Sequence, residues 1–450
     1  MGKLFWEIVD RTMTGPIMKE DEFENEFFPT KIAEIVDKYK IECDPDEPIM
    51  ADPSMADAIF QAGLELLVEV GLYCKDTKRI VKFTEEEIKE VIETRKSEVT
   101  LGKDRDAITL KPRAPGDKQH PYSFFPAGIM TRDVNKYRLH ALTSAQEPTC
   151  DGLIPVPLAG IGDIKPASGT PTETLLALTE ARIMNEVATW VGRPGLFLGI
   201  PMCATTPGAL MTVFASGLYN KYNCCMPVQI LQEMRINYDR LNQAFFAQQH
   251  GIVPWISSCA VLYAYITGPA QAAVEMIAHT LGMMAFSDGS FTQAMSNTVD
   301  GIYAGPDIWW CNSAAALAAE RNLNVPWISF GCMGHQVGPL TDESWYAIAA
   351  ASITACISGM EGMWLVGGTT GLEARWGAEI ARAAAGIRVS DGVAMIKEIA
   401  KKYKEPKHMP IPLNELYDLK TLRPTKEFLD HYKKFTKIFR DMGLDYPAWD

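Results

Sequence analysis

The ten residues GRPGLFLGIP, at positions 192–201, contain the apolar run that decides the predicted fold. Glycine and proline stand at both ends, and the run at 196–200 has the length and composition of a buried strand. Similar short apolar runs recur through the middle of the chain, with helix-length amphipathic segments between them. The eight predicted strands are 122–126, 153–157, 196–200, 227–231, 254–258, 291–294, 326–330 and 363–366.

Successive strand starts lie roughly 27 to 43 residues apart, which is the room that one strand, one helix and two loops need. A doubly wound sheet would carry a glycine-rich phosphate loop after an early strand, and the sequence has no G-x-G-x-x-G or G-x-x-x-x-G-K motif. We therefore predict an α/β fold, a (β/α)8 TIM-type barrel at residues 116–395. A helical extension at 1–115 precedes it, and a helical tail at 396–450 packs on it.

Helical patterns in the N-terminal extension predict that this region is a structural scaffold or a lid and does not supply catalytic residues. Residues 55–70 place Ala56, Ile59 and Phe60 on one apolar face. Thr84 and a glutamate three residues later form a capping-box pattern, which predicts a helix over 85–94.

Composition and charge narrow the classes of partner. The chain has 450 residues, 47% of them apolar, and a net charge of -13 without the clustered Lys and Arg that nucleic acids or anionic membranes require. It has no long apolar span, and its ten cysteines are spaced irregularly, as reduced thiols are. We expect a cytoplasmic protein, with no nucleic-acid or membrane partner, that binds a protein or a small molecule.

Chemistry in a barrel of this type lies at the carboxyl ends of the strands. Glu233 follows the fourth predicted strand and is the only acidic residue among these ends. Burial there would raise the pKa of its carboxyl group, or a cationic ligand would hold it ionised. Alternatively, Glu233 caps a helix that begins near Arg235, where the helix dipole favours an anion.

Thiols and one imidazole follow other strands. Cys332 and His335 have a spacing that allows them to share a zinc ion, with Cys259 or Cys203 and Glu233 as further ligands. Such a zinc ion would bind an alcohol or thiol substrate as a Lewis acid. The favoured interpretation is that these cysteines fill the core, because no C-x-x-C pair accompanies them.

Aromatic residues near the strand ends form another candidate group. Several such faces together can enclose a quaternary ammonium group by cation–π attraction, whereas any single one is more often a packing residue. The candidates are Trp255, Tyr263, Tyr265, Trp309, Trp310 and Phe330.

Several stretches occur in the order found in one known family. They are VGLYCKDTKRIVK at 70–82, TEAR at 179–182, GRPG at 192–195, TTGLEAR at 369–375, ARAAAG at 381–386 and YDLKT at 417–421. Together they resemble the monomethylamine methyltransferases of methanogens, which belong to the corrinoid-dependent methylamine methyltransferases. In that family pyrrolysine stands between a Gly-Arg-Pro-Gly run and a proline, and Gly199 occupies the corresponding position here.

The resemblance implies a homo-oligomeric barrel that passes a methyl group from a methylated amine to Co(I) of a separate corrinoid (cobalamin-type) protein, as in methanogenesis and other C1 metabolism. The chain itself would hold no tightly bound cofactor. Glu233 matches the acidic residue that the family has after strand four, so it is the predicted catalytic residue. The family's Asp-Glu-Gln run after strand five is replaced by Ile256, Ser257 and Ser258, and its Gln and Tyr pair at strand seven by residues 332–335.

These departures predict a change of methyl donor. A primary amine leaves poorly without the activation attributed to pyrrolysine, whereas a quaternary ammonium departs as a neutral tertiary amine. We therefore expect a non-pyrrolysine methyltransferase acting on a quaternary ammonium or another N-methyl compound. The predicted substrate contacts are Trp255, Ser257, Tyr263, Phe330, Cys332 and His335.

Three alternatives stay open at this point. The first is zinc-dependent methyl transfer from an alcohol, ether or thiol, with Cys259, Cys332 and His335 as ligands. The second is a barrel enzyme of another class, such as a lyase or hydrolase. The third is a non-catalytic protein that binds the corrinoid protein or a methylated ligand.

Overall fold

The computed structural model describes residues 2–331, 338–365, 370–404 and 411–447. Its N-terminal region contains five α-helices and four short strands. The helices are α1 (Phe5–Thr14), α2 (Glu20–Glu22), α3 (Phe28–Lys38), α4 (Pro53–Val70) and α5 (Glu85–Thr94). The strands are β1 (Leu72–Cys74), β2 (Arg79–Val81), β3 (Val99–Leu101) and β4 (Ile108–Leu110). A π-helix, Phe23–Phe27, connects α2 to α3, and a 3-10 helix, Asp104–Asp106, connects β3 to β4.

The two helices predicted in this region are confirmed. The helix predicted over 55–70 is α4, and α5 begins with the predicted capping box between Thr84 and Glu87. The four strands were not predicted, because runs of three residues are too short to show a period of two. β1 and β2 pair in antiparallel orientation, as do β3 and β4.

A seven-stranded parallel sheet forms the centre of the fold. The remaining strands are β5 (Tyr122–Ala127), β6 (Gly152–Pro155), β7 (Met226–Gln229), β8 (Arg235–Ile236), β9 (Pro254–Leu262), β10 (Thr292–Thr298), β11 (Trp327–Gly331) and β12 (Gly362–Leu365). The sheet has the order β6-β5-β12-β11-β10-β9-β7, whereas β8 pairs with β1. This arrangement confirms the α/β class and seven of the eight predicted strands.

The predicted strand at 196–200 is not a regular strand. A single bridge between Phe197 and Gly152 joins it to β6. Its backbone nevertheless bonds on both sides, since Leu153 N donates to Phe197 O at 2.8 Å and Cys225 N donates to Gly199 O at 2.8 Å. Gly199 has φ +72°, which is far from extended geometry, so the ladder is interrupted there. The structure therefore shows a curled seven-stranded sheet with an irregular segment between β6 and β7.

Helices cover the outer face of the sheet and form the C-terminal part of the chain. They are α6 (Val134–Ala145), α7 (Pro171–Trp190), α8 (Pro207–Ala215), α9 (Tyr238–His250), α10 (Pro269–Phe286), α11 (Pro306–Asn322), α12 (Asp342–Ile357), α13 (Gly371–Ala384), α14 (Val389–Lys402), α15 (Leu413–Leu416) and α16 (Lys426–Asp441). Within the described ranges, no helix is both long and apolar enough to span a bilayer.

Aromatic rings fill the inside of the curled sheet near the amino ends of its strands. The Trp255 ring stacks on Phe197, with centroids 6.1 Å apart, and meets Phe291 edge-on at 5.1 Å. The hairpin of β3 and β4 contributes Val99 and Leu110 to the same buried cluster. Because this end is filled by packed side chains, the site is expected at the carboxyl ends of the strands.

Candidate active site at the carboxyl end of β7

Glu233 lies in a tight turn that follows β7. Leu231 and Arg235 bond to each other across the turn, with N–O distances of 2.8 and 3.1 Å. Between them, Glu233 and Met234 both have left-handed backbone conformations, with φ of 59° and 57°. Each such conformation costs a non-glycine residue about 1–2 kcal/mol, so the surrounding contacts must hold the turn in place.

The structure excludes the alternative in which Glu233 caps a helix. Arg235 belongs to strand β8, and helix α9 begins only at Tyr238, with Asn237 as its N-cap. The Asn237 side chain accepts the hydrogen bond from Arg240 N, so this helix start already has its cap.

Arg235 connects Glu233 to two further carboxylates. Its Nη2 lies 2.7 Å from Glu233 Oε2, and its Nη1 contacts Glu24 and lies 3.9 Å from Glu20 Oε1. Lys75 Nζ lies 3.1 Å from the same Glu20 oxygen. The cluster thus joins three carboxylates to two cations and has an excess of negative charge.

The N-terminal region is part of this site, although its sequence predicted only scaffold or a lid. The π-helix Phe23–Phe27 carries Glu24 to Arg235, and π-helical turns occur often at functional sites. β1 runs parallel to β8, and Tyr73 N donates to Met234 O at 2.8 Å. The turn that carries Glu233 is therefore covered from the N-terminal side.

On its other side, the turn contacts two buried side chains of α10. Glu233 N donates to Glu275 Oε1 at 3.2 Å, and Met234 N donates to His279 Nε2 at 3.4 Å. His279 Nε2 lies 3.3 Å from Glu275 Oε1, and its Nδ1 lies 3.0 Å from Ser258 Oγ. A second carboxyl group therefore accompanies Glu233, and it comes from a helix rather than from the end of β9.

Burial controls the titration of these groups. It raises the pKa of Glu233 to about 7, while Lys75 opposes the shift and the Arg235 guanidinium favours the ionised form. Burial raises the pKa of Glu275 to about 8, and the neighbouring Glu233 adds to the increase. Burial lowers the pKa of His279 to about 3, so its imidazole is neutral near pH 7.

Ser257 and Cys259 lie inside β9, because this strand continues to Leu262 rather than ending at 258 as predicted. Ser257 Oγ donates to Gln293 Oε1 at 2.7 Å. Cys259 Sγ donates to Asn297 Oδ1 at 3.0 Å, and burial raises the pKa of this thiol to about 12. The two side chains point to β10, with Cys259 nearer the carboxyl end.

The five aromatic candidates whose side chains are described do not come together as one cage. Trp255 is fully buried in the ring cluster near the amino ends of the strands, which indicates packing rather than the predicted substrate contact. Trp309 and Trp310 are buried in α11. Tyr263 and Tyr265 follow β9 and are exposed, and the Tyr263 hydroxyl donates to an aspartate of α11.

The remaining predicted residues lie outside the part of the chain that can be described. Cys332 and His335 fall between residues 331 and 338, and the side chain of Phe330 is not described either. Their predicted contacts with substrate or zinc stay predictions. Of the zinc candidates, Glu233, Cys259 and Cys203 are described, and Cys203 Sγ accepts a hydrogen bond from Leu158 N at 3.1 Å.

Gly199 occupies a position where a side chain would collide with the backbone of β6. A Cβ atom there would lie 2.9 Å from Leu153 O and 3.1 Å from Ile154 Cα, both in the backbone of β6. The positive φ of Gly199 is also one that other residues rarely adopt. Backbone of the neighbouring strand therefore fills the space where a side chain would begin.

A buried glutamate holds the loop that follows Gly199. Glu180, from the TEAR stretch, accepts hydrogen bonds from Met202 N at 3.1 Å, Cys203 N at 2.9 Å and the Tyr219 hydroxyl at 3.2 Å. Burial raises the pKa of Glu180 to about 7, although these hydrogen bonds oppose the shift. The geometry after residue 199 is thus fixed by α7.

Comparison with known proteins gives concordant matches over almost the whole chain. The family model for monomethylamine methyltransferase MtmB matches residues 4–444. MtmB of Methanosarcina mazei is 28% identical over 470 residues, which cover 98% of each chain, and MtmB1 of Methanosarcina acetivorans is 27% identical over 462 residues with the same coverage. The crystal structure of Methanosarcina barkeri MtmB matches with a TM-score of 0.90 at 25% identity, over 98% of each chain.

Fold, site and matches first define the class of protein, which is that of the corrinoid-dependent methyltransferases. Within this class, the chain belongs to the monomethylamine methyltransferase MtmB family. The resemblance and the enzyme class predicted from the sequence are confirmed. A second solved structure, the hydroxylamine MtmB complex, matches with a TM-score of 0.89 at 25% identity.

Proposed function

We propose that this enzyme transfers a methyl group from an N-methyl ammonium compound, most favourably a quaternary one, to Co(I) of a cognate corrinoid protein. The observation that carries the proposal is the negative excess around Glu233. Arg235 is shared between Glu233 and Glu24, so it neutralises neither carboxylate fully. A permanently charged ammonium group would supply the missing positive charge.

Methyl transfer from such a donor is a nucleophilic displacement. The electron pair of Co(I) forms the new Co–C bond while the C–N bond breaks, and nitrogen keeps the bonding pair. The products are a neutral tertiary amine and methyl-Co(III). No proton is required, so the enzyme's task is to bind the cation and hold the methyl group in line with cobalt, which can lower a barrier by about 7–11 kcal/mol.

The environment of Gly199 supports a donor that needs no covalent activation. The printed sequence contains no pyrrolysine, and at position 199 the backbone of β6 stands where a side chain would begin. An electrophilic group therefore cannot extend from this position. A donor whose nitrogen is already quaternary removes the need for one.

The loops at the carboxyl ends of the strands supply the surface for the corrinoid protein in this proposal. Large apolar side chains are exposed there, at Ile129 and Met130 after β5, at Tyr263 after β9 and at Val299 after β10. Cobalt has to come within bonding distance of the methyl group, so the partner must approach this end.

We also propose that the segment at 196–200 completes an eight-stranded barrel, since it bonds to both Leu153 and Cys225.

Calorimetry on the chain alone tests the donor class. The ligands are tetramethylammonium and its uncharged isostere tert-butanol, measured at pH 7.5 without corrinoid protein. We expect measurable binding of the cation and none of the neutral compound. Equal affinities would contradict a cation site, because the measurement does not involve the corrinoid protein.

The cytoplasmic location and the homo-oligomeric state of the protein stay predictions.

A further inference from the structure

We propose that Glu275 and His279 are positioning residues, which hold Glu233 in place through the backbone of its turn. The inference rests on the proposed function in one respect, namely that Glu233 is the residue that contacts the substrate. The contacts themselves do not depend on it. Glu275 and His279 stand four residues apart on α10, and both are at least 98% buried.

Successive backbone N–H groups in a turn can point to the same side and form a small concave donor site. Glu233 and Met234 form such a pair, and each N–H is directed at one side chain of α10. Because side chains four residues apart lie on the same face of a helix, Glu275 and His279 match the spacing of the two donors. The four residues together make a clamp, which we name the α10 clamp.

The direction of one hydrogen bond fixes the proton of the imidazole. Backbone N–H groups only donate, so His279 Nε2 must offer its lone pair to Met234 N. The proton of the neutral ring then resides on Nδ1 and is donated to Ser258 Oγ at 3.0 Å. His279 is thereby assigned one tautomer, and β9 supplies the residue that orients it.

The same lone pair determines the state of Glu275. Its Oε1 lies 3.3 Å from His279 Nε2, where a carboxyl proton would share the one lone pair with Met234 N–H in a three-centre hydrogen bond, whereas an ionised carboxylate would face that lone pair repulsively. Burial of both groups acts in the same direction, since it favours neutral forms. The charged groups that face Glu275 are Glu233 and Arg235, and a neutral Glu275 leaves Arg235 available to Glu233.

The clamp therefore assigns different roles to the two neighbouring glutamates. As pH rises, Glu233 ionises first and is the anion that faces the substrate, whereas Glu275 keeps its proton to higher pH and holds the backbone. Environments that separate the ionisation of two adjacent carboxyl groups are a recurrent way to divide such roles. A negative charge on Glu275 would repel Glu233 and break the contact with His279.

Nuclear magnetic resonance of the wild-type chain, with ¹⁵N-labelled histidine, tests the clamp without any activity. We expect His279 to show the Nδ1–H tautomer and to remain neutral between pH 5 and pH 8, a range that spans its ordinary pKa of about 6.5. An Nε2–H tautomer, or protonation near pH 6.5, would overturn the assignment. The signal is identified by its loss in His279→Gln.

Variants test whether the clamp acts on substrate binding. Glu275→Gln is neutral and keeps an acceptor for Glu233 N, although its amide oxygen cannot donate to His279, so it should weaken tetramethylammonium binding less than Glu275→Ala does. Glu275→Ala removes the acceptor and should weaken binding by about tenfold, the loss expected for one hydrogen bond of about 1.4 kcal/mol. Glu361→Gln is the matched control, because Glu361 is also buried and accepts backbone hydrogen bonds from Arg113 and Trp327, remote from Glu233.

The outcomes separate the clamp from the proposed function. Unchanged affinity in Glu275→Ala, or equal loss in Glu275→Gln and Glu275→Ala, would overturn the positioning role. If the wild type binds no tetramethylammonium, the proposed donor class fails while the tautomer of His279 still decides the clamp. If Glu275→Ala does not fold, Glu275→Gln and the resonance measurement on the wild type carry the test.

Discussion

Arg235 Nη2 lies 2.7 Å from Glu233 Oε2, and the other terminal nitrogen of the same guanidinium contacts Glu24 in the π-helix Phe23–Phe27. The contact between Arg235 and Glu24 joins the turn after β7 to the N-terminal region, so the site is built from two distant parts of the chain. Because one cation serves two carboxylates, attraction for a further cation remains. The charge of Glu233 is accordingly the feature that should attract a cationic donor.

Replacing Glu233 by Gln should weaken a cationic donor far more than a neutral ligand. The substitution keeps the shape of the side chain and removes the negative charge. We expect tetramethylammonium affinity to fall about 10- to 100-fold, the range for a contact with a charged group of about 1.5–3 kcal/mol. Calorimetry with a cation and an uncharged N-methyl compound measures the difference. Equal effects on the two ligands would rule out the ion-pair role.

Affinity for the cation should increase with pH. Burial raises the pKa of Glu233 to about 7, so the carboxyl group is largely protonated at pH 6 and largely ionised at pH 7.5. Protonation removes the charge that binds the ligand, and we expect about eightfold weaker binding at pH 6 than at pH 7.5, where most of Glu275 still carries its proton. Glu233→Gln should show a flat profile over this range. A profile that keeps its slope in the variant would place the titrating group elsewhere.

The raised pKa has the opposite consequence for stability. The folded chain binds the Glu233 proton more tightly than the unfolded chain, so its contribution to the free energy of unfolding falls as pH rises from about 4.5 through 7. Glu233→Gln should therefore lose less stability than the wild type between pH 5 and pH 8. Thermal unfolding at several pH values measures this, and identical slopes would contradict it.

Substitution of Gly199 by Ala should destabilise the fold. The new Cβ would meet Leu153 O at 2.9 Å, in addition to the strain of a positive φ. Gly217→Ala is the matched control, since Gly217 has φ +77° and open space around it. We expect Gly199→Ala to cost about 1–3 kcal/mol more than the control, the usual penalty of overpacking. Similar denaturation midpoints for the two variants would show that position 199 has room for a side chain.

The exposed apolar side chains at the carboxyl ends of the strands, here called the apolar rim, should affect binding of the corrinoid protein and not binding of the donor. Met130 is 67% exposed after β5 and Val299 is 58% exposed after β10. Met130→Asp and Val299→Asp should raise the concentration of corrinoid protein needed for half-maximal rate by about tenfold, and leave donor binding unchanged. Tyr222→Asp is the control, because this exposed residue precedes β7 at the opposite end. An equal effect of the control would argue against docking at the rim.

Much of the fold could be predicted because apolar runs and their spacing report buried strands directly. The exception at 196–200 has a physical cause. The segment is buried, as its apolar composition predicts, but the left-handed backbone of Gly199 interrupts the ladder of hydrogen bonds. Glycine tolerates both extended and left-handed conformations, so its conformation is not visible in the sequence. The predicted end of the fifth strand was early for a related reason, because Ser257 and Cys259 are polar or small although they lie inside β9.

The site could be predicted only where a residue follows a strand. Glu233 was predicted as a candidate this way, whereas Glu275 and His279 lie in the middle of a helix and Glu24 lies in an extension treated as scaffold. Their contacts depend on tertiary structure, which a periodic pattern does not encode. One signal was available: a glutamate and a histidine four residues apart within an otherwise apolar helix, a pattern that requires buried polar partners.

The most direct test of the proposed reaction is optical. The chain is mixed with a Co(I) corrinoid protein from the same source, and formation of methyl-Co(III) is followed with quaternary ammonium, monomethylamine, and O- and S-methyl donors. We predict conversion with a quaternary ammonium donor, without added zinc, and its loss in Glu233→Gln. Conversion with monomethylamine alone, or only with an alcohol or thiol and zinc, would contradict the proposal.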